Sequence, residues 1–140
     1  MILEQISSKS ILQIEKLIGT NDIYIPNLHI YGTVKNYFGF MLKVKSEYIG
    51  FILINNECMK LDRKDNNYNI QQLFIKDEFK KSDFGKKTVF NVLDNISGNW
   101  EIKPNNNEVT IFWEKIIGEY TNNNYTKITI DRRTIITLKS

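Results

Sequence analysis

Apolar residues recur at helical spacing early in the chain, at Ile11, Ile14 and Ile18, which predicts a first helix. Ser10 and Gln13 stand as a capping box at its start and Gly19 as its stop. Residues 20–27, with Asn21, Asp22 and Pro26, read as a connection. The pattern then changes. Leu28–Val34, Phe38–Val44 and Tyr48–Ile54 are rich in β-branched and aromatic residues and predict strands. The polar break Lys45-Ser46-Glu47 joins the last two as a hairpin. Asp62–Asn67 is a polar turn region, and Tyr68–Ile75 is the next strand.

The second half alternates. Val89, Leu93 and Ile96 mark one face of a helix that starts near Phe84 and ends before Gly98, and Trp100–Lys103 is a short strand. Val109, Phe112, Trp113, Ile116 and Ile117 then fall at i, i+3, i+4, i+7 and i+8, a broad apolar stripe. An asparagine at 105–107 caps that helix and Gly118 is expected to end it. Tyr125–Ile130 and Thr134–Leu138 are strands around Asp131-Arg132-Arg133, most simply a hairpin turn. No internal repeat or interdomain linker is visible, so residues 1–140 read as a single domain.

Composition narrows the function classes. A hydrophobic fraction of 41% supports a core, and a net charge of +3 is too small to argue for nucleic acid. A single cysteine, Cys58, excludes an internal disulfide framework, and with a single histidine, His29, leaves no metal site to propose. His29 reads as structural or exposed, and Cys58 as inert. The first ten residues lack a basic start followed by a long apolar run, and no apolar stretch approaches the roughly 20 residues of a membrane span. The expectation is a cytoplasmic protein with no membrane partner. The asparagine triplets at 105–107 and 122–124 are read as turn and cap residues.

The most informative segment is Gln72–Lys87. A strand of buried type runs into a polar loop with Lys76, Lys80, Lys81, Lys86 and Lys87 set against Asp77, Glu78 and Asp83, and a helix follows at once. First-turn N–H groups lack intrahelical partners and the helix dipole favours negative charge there, so this is a place for a phosphate. Gly85 allows close backbone approach. The alternative is a solvated, lysine-rich helix start.

Residues 72–125 resemble the acetyl-coenzyme A half of the GNAT-superfamily N-acetyltransferases, especially a group of small bacterial members. Lys80-Lys81-Ser82-Asp83-Phe84-Gly85 matches the Arg/Gln-x-x-Gly-x-Gly/Ala loop whose amides hold the coenzyme A pyrophosphate. Gly98-Asn99-Trp100-Glu101 is similar to the start of a strand in that group. Asn106-x-x-Val109-x-x-Phe112-Trp113 resembles its Asn-x-x-Ala-x-x-Phe-Trp helix, and Gly118-Glu119-Tyr120-Thr121 the turn after it.

The resemblance implies an α/β (α+β) fold with a mixed, mostly antiparallel central sheet flanked by helices. It implies acetyl-CoA as co-substrate, held by Ile75, Lys80, Lys81, Asp83, Phe84, Gly85 and Lys86, with Asn106 and Phe112 near the pantetheine or acetyl region. A primary amine on a small molecule or peptide would be the acceptor, and the protein a monomer or homodimer. The departures are specific. Asp83 stands for the first loop glycine and Lys80 for the arginine or glutamine. Gln72 occupies the place of the frequent glutamate base, and Trp113 that of the tyrosine acid, which leaves Tyr120 as the candidate acid. An amide cannot take a proton at neutral pH. Three functions therefore stand: an N-acetyltransferase, a non-catalytic coenzyme A-binding relative, and a protein-interaction module on the same fold.

Overall fold

The computed structural model describes residues 1–19, 21 and 23–140. Its elements are β1 (Ile2–Gln5), α1 (Ile11–Ile18), β2 (Phe38–Val44), β3 (Glu47–Asn55), β4 (Asn67–Ile75), α2 (Phe84–Asn95), β5 (Asn99–Ile102), α3 (Asn107–Thr121), β6 (Thr126–Ile130) and β7 (Arg133–Lys139). Seven strands form one sheet in the order β1-β2-β3-β4-β5-β7-β6. Of the recorded pairings only β4 with β5 is parallel. The mixed, mostly antiparallel α/β architecture expected from the sequence is present.

The chain divides into two compact units, Met1–Asn55 with Gln72–Thr88, and Asn56–Gln71 with Val89–Ser140. Each has its own reasons for folding. In the first, α1 places Ile14 in a fully buried position among Met41, Phe51, Leu53 and Phe74, with Ile11, Leu17 and Ile18 packed around it. Alternate strand positions serve a second cluster, in which Leu42, Ile49 and Ile75 meet Leu73, Phe79 and Phe84. The period-2 alternation of strands is what divides β4 between the two, Phe74 to one and Ile75 to the other. Burying side chains of this size contributes roughly 1.5–3 kcal/mol each.

In the second unit, Trp100 is fully buried against Tyr68 with ring centroids 4.7 Å apart. Its indole N–H donates to Ser140 Oγ at 2.9 Å, and that hydroxyl donates to the Ile96 carbonyl at 2.9 Å. The stripe on α3 buries Trp113, Ile116 and Ile117 as expected. Lys127 and Tyr125 both reach Glu114 at 3.0 Å, which fastens β6 and its approach to the side of α3.

Three expectations are corrected. Leu28–Val34 is not a strand: Leu28–Ile30 is a 3-10 turn and residues 31–36 are turns and bends. Asn27 and Asn36 are left-handed, at φ 54° and 69°, as is Gly32 at 84°. A Cβ on Gly32 would lie 2.6 Å from the Ile6 carbonyl oxygen. The apolar residues here fill the α1 cluster through Ile25, Tyr31, Leu28 and Ile30 instead of pairing. The capping box sits one turn earlier than expected, between Ser7 and Ser10, where the Ser7 N–H donates to Ser10 Oγ at 3.0 Å. Gly118 does not end α3. It is buried within the helix, where a Cβ would meet the Asn123 side chain at 2.9 Å, and Asn122 ends the helix in the left-handed region. The connection expected over 20–27 contains Thr20 and Asp22, which lie outside the described residues.

Candidate functional site: the β4–α2 connection

The parallel ladder between β4 and β5 runs from Asn67↔Asn99 to Ile70↔Ile102 and stops there, five residues before β4 ends. The far end of β4 belongs to the first unit and lies beside β3, where the Lys76 N–H donates to the Ile49 carbonyl at 2.8 Å. A Cβ on Gly50 would lie 2.2 Å from the Phe74 carbonyl oxygen, so glycine is what permits this approach. Gln72 is half-buried and shares the strand face of Phe74, whose ring stacks on Phe51 at 5.4 Å. Ile75 is buried on the opposite face beside Phe79 and Phe84.

Beyond β4 the lysines divide into two sets. Lys76 donates to Glu47 at 2.9 Å, and this bond holds its pKa above the ordinary lysine value. Lys80 pairs with Asp77 at 2.8 Å across the 3-10 turn Asp77–Phe79. Neither is the uncommitted cation that its place in the loop suggested. Lys81 is exposed and has no ion pair among the described residues. Lys87 lies over the Phe84 ring, with its ammonium 6.0 Å from the centroid. Lys86 is half-buried in the first turn of α2.

Residues 80–83 form turns, and α2 begins at Phe84, anchored by its ring against Phe79 at 5.8 Å. The Lys87 N–H donates to the Asp83 carbonyl at 2.9 Å as the first bond of the helix. The N–H groups of Phe84 and Gly85 precede it and have no acceptor within the helix. Gly85 is buried in that first turn, whereas the Asp83 side chain is exposed. Thr88 is fully buried and its hydroxyl donates to the Phe84 carbonyl at 2.7 Å, which steadies the turn. The first unit holds ten lysines against seven carboxylates, while the second holds nine basic and nine acidic residues. All of the net charge of +3 therefore belongs to the unit that carries this connection.

The other named positions belong to α3 and the second unit. Asn106 caps the helix, its Oδ1 accepting from the Val109 N–H at 2.9 Å. Phe112 is 42% exposed, with its ring edge-on to buried Trp113. Tyr120 ties α3 to α2: its hydroxyl donates to Asp94 at 2.8 Å, and its ring meets Phe90 at 5.1 Å. Partial burial, followed by the bond to Asp94, pushes the phenol up to about 12. His29 is exposed in the 3-10 turn, and Arg132 lies in the left-handed β6–β7 turn.

One residue that sequence reasoning left without a role is Glu101. It is fully buried on β5 and accepts from three successive backbone N–H groups, those of Met59, Lys60 and Leu61, with the last two at 2.7 and 3.0 Å. The Lys103 ammonium stands 3.7 Å away. The available signal was a carboxylate between Trp100 and Ile102 in a four-residue strand, because buried charge demands dedicated partners. Burial, then the nearby Glu101 charge, pushes the Cys58 thiol up to about 11.

This order of elements, with a parallel β4–β5 pair inside a mostly antiparallel sheet and a basic strand-to-helix turn, is the GNAT acetyltransferase fold. A candidate acetyltransferase of the GNAT family from Desulfovibrio desulfuricans superimposes with a TM-score of 0.72 at 8% identity, over 99% of this chain and 98% of that one. An acetyltransferase from Thermus thermophilus gives 0.69 at 10% identity, over 99% and 96%. An aminoglycoside 6'-N-acetyltransferase solved with coenzyme A gives 0.62 at 8% identity, over 99% and 97%. No protein-family model matches the sequence, and no curated protein matches it significantly. Among the described residues no helix is long and apolar enough to cross a membrane.

Proposed function

We propose that this chain binds acetyl-CoA through the β4–α2 connection and transfers the acetyl group to a primary amine in the cytoplasm. The observation that carries the reading is the first turn of α2. Two N–H donors and a buried Gly85 sit there beside Lys81 and Lys87, on a fold shared along its whole length with acetyltransferases. A diphosphate at that turn meets donors already oriented by the helix and gains from its dipole. Lys81 and Lys87 supply the screening charge, and Lys80 and Lys76 hold the loop in shape through Asp77 and Glu47.

Asp83 opposes this anion, but its exposed carboxylate can point into water, where charge repulsion falls to about 1 kcal/mol at 4 Å. In the transfer itself the amine nitrogen attacks the thioester carbonyl, the C–S bond breaks, and the thiolate takes up a proton. The ammonium proton leaves to water, because the Gln72 amide cannot accept it. Positioning therefore carries most of the rate enhancement.

Amine-dependent release of free thiol from acetyl-CoA tests this reading. Turnover with one member of a panel of small amines and amino-terminal peptides is expected. Binding of the cofactor without thiol release across the panel would remove the transferase reading. A second reading, a non-catalytic coenzyme A-binding or protein-interaction module, is favoured by Tyr120. Its proton is committed to Asp94 and its pKa is raised, so it is a poor donor to a leaving thiolate.

A further inference from the structure

We infer that the acceptor is an amine already neutral at pH 7, an arylamine or an acyl hydrazide, whose NH2 group is taken by the Gln72 amide. The inference rests on the transferase reading above and names the substrate class of that site. Gln72 lies on β4, half-buried, two positions past the last ladder pair at Ile70↔Ile102. It shares the strand face of Phe74, which packs into the α1 cluster. Its amide makes no hydrogen bond among the described residues. A polar group withdrawn from water ordinarily has a partner, and an incoming N–H supplies one here.

The amide decides the charge of that partner. Its oxygen accepts from an amine N–H and leaves the nitrogen lone pair for attack, but it takes up no proton and holds no ammonium by charge. The other described charges on the elements around this face are engaged or turned to solvent. Glu4 accepts from Tyr48 at 2.8 Å and faces Lys43 at 3.9 Å, and Glu47 holds Lys76. Lys9, Glu15, Lys16, His29 and Lys35 are exposed. The net charge of +3 on this unit opposes a cation further. With a neutral amine the protons balance without a protein acid or base. Attack forms the C–N bond and leaves an acidic N–H, the C–S bond breaks, and that proton passes through water to the thiolate. Tyr120, whose proton is bound to Asp94, is not required. An alkylammonium carries one proton more. A lysine-like amine, of pKa about 10.4, is neutral in about one molecule in 2,500 at pH 7.

Benzoic hydrazide, aniline and benzylamine, probes of similar size, test this by thiol release from acetyl-CoA, corrected for release without protein. Calorimetry follows acetyl-CoA binding alongside. At pH 7 kcat/KM for the better of the first two should exceed that for benzylamine by about 100-fold or more. Between pH 6 and 8 the benzylamine value should climb about tenfold per unit with its own free base, while the hydrazide value stays level. Gln72→Glu supplies a carboxylate and should raise the benzylamine value at pH 7 by about tenfold or more. Gln72→Leu should lower the hydrazide value about tenfold at unchanged acetyl-CoA affinity. Benzylamine used as well as the hydrazide, a level benzylamine profile in the unmodified chain, or a hydrazide rate indifferent to Gln72→Leu would overturn the inference and leave the transferase standing. Bound acetyl-CoA with no thiol release to any amine would remove the transferase reading and the substrate class with it.

Discussion

Replacing Glu101 by glutamine changes one atom and removes a charge from a fully buried side chain. The two carboxylate oxygens accept from the N–H groups of Met59, Lys60 and Leu61. A glutamine has one acceptor oxygen. If it takes the Oε1 position, the bonds from Lys60 and Leu61 survive without charge assistance, and its NH2 group confronts the Met59 N–H. The stranded donor costs about 1–3 kcal/mol, and the two weakened bonds lose about 0.5–1 kcal/mol each. The total, about 3 kcal/mol, is a large part of a stability of roughly 5–15 kcal/mol. For a chain of this length it lowers the melting temperature by about 10 °C. Lys103→Met, which removes the ion pair at 3.7 Å and the ammonium's bond to the Glu57 carbonyl at 3.0 Å, should cost less, about 0.5–1.5 kcal/mol. Urea denaturation gives the energies, and amide hydrogen exchange locates them: Met59, Lys60 and Leu61 should lose protection first. Glu101→Gln melting within about 2 °C of the parent, with exchange at those three amides unchanged, would refute the reasoning.

Other outcomes follow from single contacts. Asp83→Gly removes the carboxylate beside the proposed diphosphate and should tighten acetyl-CoA binding by about fivefold. Lys81→Glu should weaken it, while Lys80→Glu, whose parent lysine is already held by Asp77, should weaken it less; titration calorimetry ranks the three. Tyr120→Phe keeps the ring contact with Phe90 and loses the bond to Asp94, at about 0.5–1.5 kcal/mol by urea denaturation. The Tyr120 phenol is raised from 10.0 to about 12, so its contribution is fully present below pH 10 and lost as pH climbs to about 12. Tyr120→Phe should accordingly flatten part of the alkaline loss of stability, and an identical pH profile would show that the bond does not matter. Cys58, buried with its thiol near 11, should resist aromatic disulfide reagents at neutral pH until the chain is unfolded. Stoichiometric labelling of native protein would contradict that burial.

Much of the architecture is legible in the residues, and the failures have physical causes. The stripe on α3 and the β-branched runs of β2, β3 and β4 announce their elements because each has one buried face that must be served by periodicity. Leu28–Val34 has the composition of a strand, yet its apolar residues are wanted by the α1 cluster, and left-handed Asn27, Gly32 and Asn36 break the extended course. β1 went unread because it has four residues, one of them the exposed Ile2, too few to show a period. At the candidate site, the sequence exposes the lysines and the helix start but not which lysines are spoken for. Lys76 and Lys80 are engaged by Glu47, 29 positions away, and by Asp77. A contact of that first kind is set by the β3–β4 alignment and has no local signature. Glu101 was invisible as an anchor for the same reason, its three donors lying about forty positions upstream.

Calorimetric titration of the purified chain with acetyl-CoA, with desulfo-coenzyme A and ATP as controls, tests the central claim most directly. Saturable binding at micromolar concentration, weaker for ATP and weakened by Lys81→Glu, is the predicted result. A folded protein that takes up no coenzyme A species at millimolar concentration would contradict the account and leave the fold without its cofactor.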